Sequence, residues 1–241
     1  MNTNSNTYTI VYASVMVVIV AFLLAFVSSA LKPQQDANVA IDKKKQILYS
    51  LNVDDKDMEN VEEKYKEMVV ADPIYGADAT APTAKGDQQD QDGFQVATKD
   101  LKDDNRPLYV CKVNGEDAYV IPVKGAGLWG GIWGYVSVAA DGETVIGAYF
   151  NHEGETAGLG AEIKDNPKFR NQFAGKKLFN GDNKQTVALS VLKKGKTVDG
   201  VDNTTNRIDA VTGATLTSNG VNDMIHKGIG AYLDILDNLK K

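Results

Sequence analysis

Cysteine is almost absent from this chain of 241 residues, with Cys111 as the single example. One thiol cannot build an intramolecular disulfide framework, a four-thiolate zinc site or an iron–sulfur cluster held by this chain alone. Hard redox chemistry in such a chain must use a borrowed cofactor. An excess of positive charge is missing too: 26 Lys and Arg face 32 Asp and Glu, for a formal net charge of −6. That balance argues against holding nucleic acid by neutralising its phosphates. Charge of either sign is missing from Ile10 to Leu31 (IVYASVMVVIVAFLLAFVSSAL), a run of a length that suits a membrane span. The rest of the chain, in a sequence 43% hydrophobic overall, can fill the core of one domain with appendages.

Two readings compete for the apolar run. Ser28-Ser29-Ala30 resembles a small-residue cleavage site, which suits a signal peptide. Against it, residues 1–9 contain no Lys or Arg and the run exceeds the roughly 7–15 residues of a signal core. A retained single-pass anchor, residues 1–31, is therefore expected. Lys32 and Lys43-Lys44-Lys45 follow the span, so a positive-inside count puts the remaining chain in the cytoplasm. That rule weakens for long translocated domains, and charge alone leaves both orientations open.

Residues 32–75 read as juxtamembrane helices. Apolar positions Ile47, Leu48 and Leu51 predict one helix over Asp42 to Asn52, and Met58, Val61, Tyr65, Met68 and Val69 predict another over Asp57 to Val70. Residues 76–107 change to Ala, Asp, Gln, Gly, Thr and Pro, including GDQQDQD at 86–92, and are expected to be a polar flexible insertion. Residues 108–241 then form the main domain. Leu108 to Val113 and Ala118 to Val123 flank Asn114-Gly115, while Ile132 to Ala139 and Thr144 to Phe150 flank Asp141-Gly142. Both patterns predict β-hairpins, hence an antiparallel sheet. Asp165-Asn166-Pro167 predicts a short helix over Lys168 to Ala174, and Thr186 to Leu192 a strand. Val221, Met224, Ile225, Ile229, Tyr232, Leu233 and Leu236 predict a C-terminal helix capped by Ser218 or Asn219. Its glycines, Gly220, Gly228 and Gly230, leave it dependent on tertiary packing. The fold class expected is α+β: one N-terminal transmembrane helix, then an antiparallel sheet flanked by helices.

Arg207 to Val221 (RIDAVTGATLTSNGV) sets a hydroxyl-rich turn before that helix. Free N–H groups, a positive dipole end and the small residues Gly213 and Ala214 suit a phosphate, and Thr212, Thr215, Thr217 and Ser218 add hydroxyls. An ordinary capped helix explains the same residues equally well. No metal site is expected; His226 and Cys111 read as packing residues.

Asp209-Ala210-Val211-Thr212-Gly213-Ala214-Thr215 resembles the flavinylation motif, Asp, two variable residues, Ser or Thr, Gly, Ala, Thr, whose last threonine receives FMN through its phosphate from a flavin transferase. The resemblance extends to Gly127-Leu128-Trp129, to Gly134-Tyr135, to His152-Glu153-Gly154-Glu155-Thr156-Ala157-Gly158-Leu159-Gly160 and to the following Asp165-Asn166-Pro167-Lys168-Phe169-Arg170. In that histidine loop Ala157 replaces the family's proline, which removes local rigidity more than chemistry. With the anchor, the order of segments is similar to that of the C subunits of Na⁺-translocating NADH:quinone oxidoreductases. The G subunits of ion-translocating ferredoxin:NAD⁺ oxidoreductases share anchor and flavin domain, and a non-redox envelope assembly module is the remaining alternative. What the resemblance implies is covalent FMN on Thr215, with Thr212, Gly213, Ala214, Thr217, Trp129, His152, Glu155, Thr156, Gly158, Leu159 and Gly160 around it and Asp209 recognised by the transferase. His152 and Glu155 either line the flavin edge or merely brace their loop. It further implies partner subunits, an electron relay from an iron–sulfur centre to a neighbouring flavin, and a bacterial inner-membrane location with the domain on the periplasmic side.

Overall fold

The computed structural model describes residues 5–87 and 89–239, and divides into two compact units, Met1–Lys43 and Lys44–Lys241. Helix α1 (Asn6–Ser50) supplies the first unit and enters the second. Its most apolar stretch is long and apolar enough to cross a membrane. The helix expected to begin at Asp42 is thus the end of α1, since only Pro33 interrupts the intervening residues and α1 carries it internally. Ile47, Leu48 and Leu51 then enter the core of the second unit.

Helix α2 (Val61–Met68) starts later than Asp57, because the side chain of Asn60 accepts the Glu63 N–H and caps it there, while Asp55–Asp57 forms a 3₁₀ turn. It ends as the chain extends into β1 (Val69–Ala71), followed by β2 (Ile74–Tyr75), β3 (Pro82–Ala84), β4 (Arg106–Pro107), β5 (Tyr109–Val113), β6 (Glu116–Ala126), β7 (Gly131–Ala139) and β8 (Val145–His152). Strands β1-β5-β6-β7-β8 make a five-stranded antiparallel sheet in that order. Both expected hairpins are present. At the first, Asn114 (φ 53°) and Gly115 (φ 88°) sit in left-handed conformations, the geometry a two-residue turn needs to match strand twist.

The stretch 76–107 departs from the expected flexible insertion. Strands β3, β2 and β4 form a small antiparallel sheet, 3₁₀ turns occupy Gly93–Gln95 and Thr98–Asp100, and Ala79 and Phe94 are buried. Asp72 organises it: its carbonyl accepts the Gly93 N–H at 2.8 Å and its Oδ2 the Phe94 N–H at 2.7 Å. A few buried anchors thus order a polar composition. Burial, working against the Phe94 hydrogen bond, pushes the Asp72 carboxyl up to about 6, and among the described residues its Oδ1 has no hydrogen-bond partner. An acid whose pKa rises on folding loses stability as pH climbs from its ordinary 3.8 to about 6. Asp72→Asn keeps the Phe94 bond, so it should gain about 1 kcal/mol at pH 7 and almost nothing at pH 4. Urea unfolding at both values checks this.

Helices α3 (Glu162–Asp165) and α4 (Pro167–Arg170) follow β8. Asn166 accepts the Lys168 N–H and Pro167 opens α4, as expected, but the helix tightens to a 3₁₀ turn over Asn171–Phe173. Phe169 and Phe173 pack on Phe150 of β8, with ring centroids 6.1 and 5.2 Å away. Strand β9 (Ser190–Leu192), shorter than the expected Thr186 to Leu192, pairs in parallel with β10 (Arg207–Asp209), a departure from a wholly antiparallel arrangement. A long polar connection between them permits the parallel return.

The C-terminal helix is two helices, α5 (Thr215–Gly230) and α6 (Leu233–Leu239). They part at Ala231-Tyr232, where Arg106 binds the Ala231 carbonyl and the Tyr232 hydroxyl donates to the Pro107 carbonyl at 2.9 Å. Glycines weaken α5 intrinsically, yet they let it approach β6: a Cβ on Gly220 would lie 2.3 Å from the Ala126 carbonyl oxygen, and one on Gly228 2.6 Å from Val123. Cys111 is fully buried, which pushes its thiol well above the ordinary range and makes it a packing residue. His226 is half-buried on α5 with its Nε2 2.9 Å from the Ser190 hydroxyl, and burial lowers its pKa.

Candidate functional site

Three segments meet at the N-terminus of α5. The first is the turn from Gly127 to Gly130 between β6 and β7, the second the loop from Glu153 to Gly160 after β8, and the third the turn from Val211 to Ala214 after β10. Glu155, in the second, ties the first to helix α5. Its Oε1 accepts the Trp129 N–H at 2.9 Å and its Oε2 the Thr217 hydroxyl at 2.6 Å, and it is buried. Burial works to raise the Glu155 carboxyl, but the Thr217 hydroxyl, the N–H groups of Trp129 and Leu128 and the nearby His152 outweigh it and hold it below the ordinary range. His152 presents Nδ1 to the Glu155 N–H at 3.2 Å, so that ring nitrogen carries the lone pair. Both residues brace the loop through these bonds.

The third segment differs from the expected cap. Helix α5 begins at Thr215, its N-cap is Ala214, and no side chain caps its first turn. Ser218, expected there, is buried one turn inside, where its hydroxyl accepts the Val211 N–H at 3.1 Å and folds the turn back onto the helix. Thr217 is likewise buried, and its hydroxyl donates to Glu155. Thr212 and Thr215 are exposed. Gly213, at φ +83°, makes the turn possible, and a Cβ there would lie 3.1 Å from Leu159 Cδ2, which shows how closely the second and third segments approach.

Around Thr215 the surface is apolar and open. Trp129 is 67% exposed, Leu216 59%, Leu128 48% and Leu159 45%. Four large apolar side chains held out at one end of a domain signal a binding face. Leu216 lies outside the residues the motifs single out, although an apolar residue beside the helix start, off the stripe begun by Val221, is its signal. Thr156 and Gly158 shape the loop: the Thr156 carbonyl accepts the N–H of Leu159 and Ala161, both at 3.1 Å, and Gly158 has φ +73°. Gly160 is a close-approach position, since a Cβ there would sit 2.2 Å from Glu155 Oε2 and 2.7 Å from the Thr217 hydroxyl. Gly160→Ala should therefore break the Glu155–Thr217 bond and lower stability by about 2 kcal/mol, read as a lower unfolding midpoint.

Asp209 stands outside this cluster, at the end of β10, where its Oδ1 pairs with Arg207 Nε at 3.0 Å. Among the described residues no group of three or more His, Cys, Asp or Glu is arranged to hold a metal ion.

An uncapped helix start with exposed hydroxyls suits a phosphate, and the apolar rim suits a flat aromatic ring, so the residues present fit a flavin mononucleotide. Residues 127–230 match the family described as FMN-binding domain, the span that contains all three segments. The chain is 30% identical to the C subunit of the Na(+)-translocating NADH-quinone reductase of Pseudomonas aeruginosa, across 100% of this chain and 98% of that one. It is 32% identical to the corresponding protein of Haemophilus ducreyi, covering 96% and 95%. The crystal structure of the C subunit from Parabacteroides distasonis superposes with a TM-score of 0.72 at 35% identity, covering 86% of this chain and 96% of that one. The chain belongs to the family of C subunits of Na(+)-translocating NADH-quinone reductases, and so to the components of an oxidoreductase complex.

Proposed function

We propose that this chain carries FMN covalently, as a phosphoester on Thr215, and relays electrons within a membrane NADH:quinone reductase whose turnover is coupled to Na⁺ export. The observation that carries the reading is the exposed Thr215 at an uncapped helix start, beside the exposed Leu216 and the turn at Gly213 that Leu159 approaches. Attachment requires an activated flavin donor, a dinucleotide with a flavin–pyrophosphate–nucleoside skeleton, and a flavin transferase. Thr215 Oγ1 forms the new P–O bond, the pyrophosphate P–O bond breaks, the nucleoside monophosphate leaves, and the hydroxyl proton passes through the transferase to solvent. No electrons are exchanged in that step.

Bound there, FMN supplies one- and two-electron chemistry through its ring. The chain does the rest. The first-turn N–H groups of α5 and the exposed Thr212 hydroxyl would hold the phosphate, Gly213 and Ala214 would leave the backbone accessible to it, and Trp129 and Leu159 would shield the ring from water. Thr156, Gly158 and Gly160 shape the loop that presents Leu159, and His152, Glu155 and Thr217 tie that loop to the Trp129 turn and to α5. Asp209 serves recognition by the transferase. In the complex the domain receives electrons from an iron–sulfur centre and passes them to the flavin of a neighbouring subunit, on the periplasmic side of a bacterial inner membrane. Sodium crosses elsewhere, because an anchor without charge between Ile10 and Leu31 offers no ion path.

The test is coexpression with an active flavin transferase, followed by a denaturing gel under ultraviolet light and intact mass. A fluorescent band heavier by one FMN residue supports the reading. A dark band of unmodified mass, with the transferase active on another acceptor, rejects it. Copurification with a protein that oxidises NADH tests the assignment to the complex.

A further inference from the structure

We infer that Gln172 and Arg207 are positioning residues for flavin attachment, holding Asp209 in the one orientation a flavin transferase can read. The inference rests on the reading that Thr215 is the attachment site and Asp209 the recognition residue. It starts from an asymmetry around Asp209. Gln172 grips both backbone groups of that residue: its Oε1 accepts the Asp209 N–H at 2.7 Å and its Nε2 donates to the Asp209 carbonyl at 3.2 Å. A two-point amide clamp fixes the backbone at Asp209 on both sides of Cα. Gln172 is itself held, because its neighbour Phe173 is fully buried among Phe150 and Phe169.

The side chain is fixed from the other direction. Arg207 Nε donates to Asp209 Oδ1, while its remaining nitrogens reach the Lys193 carbonyl, the Lys196 carbonyl and Asn203 Oδ1. The guanidinium is thus anchored by the 193–203 connection before it touches Asp209. Its side chain is 12% exposed, against 47% for Asp209. One carboxylate oxygen is therefore tethered, and Oδ2 has no hydrogen bond among the described residues. Asp209 also lines an open cleft of about 450 Å³ with Lys176, Lys194 and Thr197. A held carboxylate with one free oxygen on an open cleft is what a visiting protein can recognise without first ordering it.

A purely structural role for the same bonds makes a different prediction. If the bonds were purely structural, their loss would lower stability, since Arg207 also holds the 193–203 connection, and would leave attachment to the folded chain unchanged. The deciding experiment measures kcat/KM of a purified transferase, with its flavin dinucleotide donor, on the full-length unmodified chain in detergent. The expected result for Arg207→Ala and for Gln172→Ala is at least a tenfold fall, carried by KM for the protein acceptor, at a temperature where circular dichroism shows each variant folded. Arg207→Lys, which keeps a cation beside Oδ1, should recover most of it. In an Asp209→Asn background Arg207→Ala should add nothing, since it acts through the carboxylate. Values within twofold of wild type in both single variants overturn the inference, as does a fall in the Asp209→Asn background as large as in wild type. An unlabelled wild type removes the attachment reading itself, a failure visible before any variant is compared.

Discussion

Thr215→Ala is expected to leave the chain with no covalent flavin at all, while its fold survives intact. Thr215 is the first residue of α5 and exposed, the N-cap position belongs to Ala214, and no bond of the Thr215 hydroxyl ties the structure together among the described residues. Removing an exposed hydroxyl with no structural task changes stability by at most about 0.5 kcal/mol. Attachment, in contrast, needs that oxygen, so the loss is complete. Thr215→Ser restores the nucleophile and should restore labelling. Thr212→Ala keeps Thr215 and should also be labelled. In-gel fluorescence of the denatured variants, with circular dichroism to show folding, separates these outcomes. A labelled Thr215→Ala variant would move the attachment site elsewhere.

Glu155→Ala is expected to have the largest effect on stability. The carboxylate is buried, and its loss orphans the Trp129 N–H and the Thr217 hydroxyl together. Hydrogen bonds to a charged group contribute about 1.5–3 kcal/mol, and stranded buried donors add to the loss, so a fall of about 3 kcal/mol follows. For a domain of this size that lowers the thermal midpoint by about 6–12 °C. The same carboxylate gives a pH signature. Its folded pKa is depressed, so its contribution is complete above the ordinary value of 4.5 and fades as pH falls through the lower folded value. The wild type should lose this increment in acid and Glu155→Ala should not. Calorimetry at pH 7 and pH 3.5 reads both: a gap between the proteins that stays constant with pH would mean that Glu155 contributes by shape alone. Trp129 fluorescence should also broaden in the variant, because the turn that carries the indole loses its tether.

How these residues come together was only partly legible in the chain. Turn chemistry at Asn114-Gly115 and Asp141-Gly142 is local, since left-handed backbone at small polar residues dictates a hairpin whatever surrounds it, and both hairpins follow. The apolar run from Ile10 is equally local, and α1 carries it. Boundaries set by long-range contacts were not legible. The start of α5 moves from the vicinity of Ser218 to Thr215 because Ser218 turns inward to Val211, and its end at Gly230 depends on Arg106, far away in sequence. Residues 76–107 look flexible by composition, and become ordered because Asp72 supplies one backbone and one side-chain acceptor that no local pattern reveals.

The candidate site divides in the same way. A seven-residue motif singles out Thr215 and Asp209 without any structure, because it is contiguous. Which hydroxyls face outward is another matter: Thr212 and Thr217 look alike in sequence, yet one is exposed and the other spends its hydroxyl on Glu155. The sequence by itself determined the apolar N-terminal run, the hairpins and the threonine on which the motif ends, all properties of neighbours along the chain. Only the tertiary structure decided that Glu155 ties the Trp129 turn to α5, that Leu216 stands exposed beside Thr215, and that Gln172 and Arg207 converge on Asp209. Those facts depend on where distant segments meet, which is settled by packing around one buried carboxylate and a shared aromatic core.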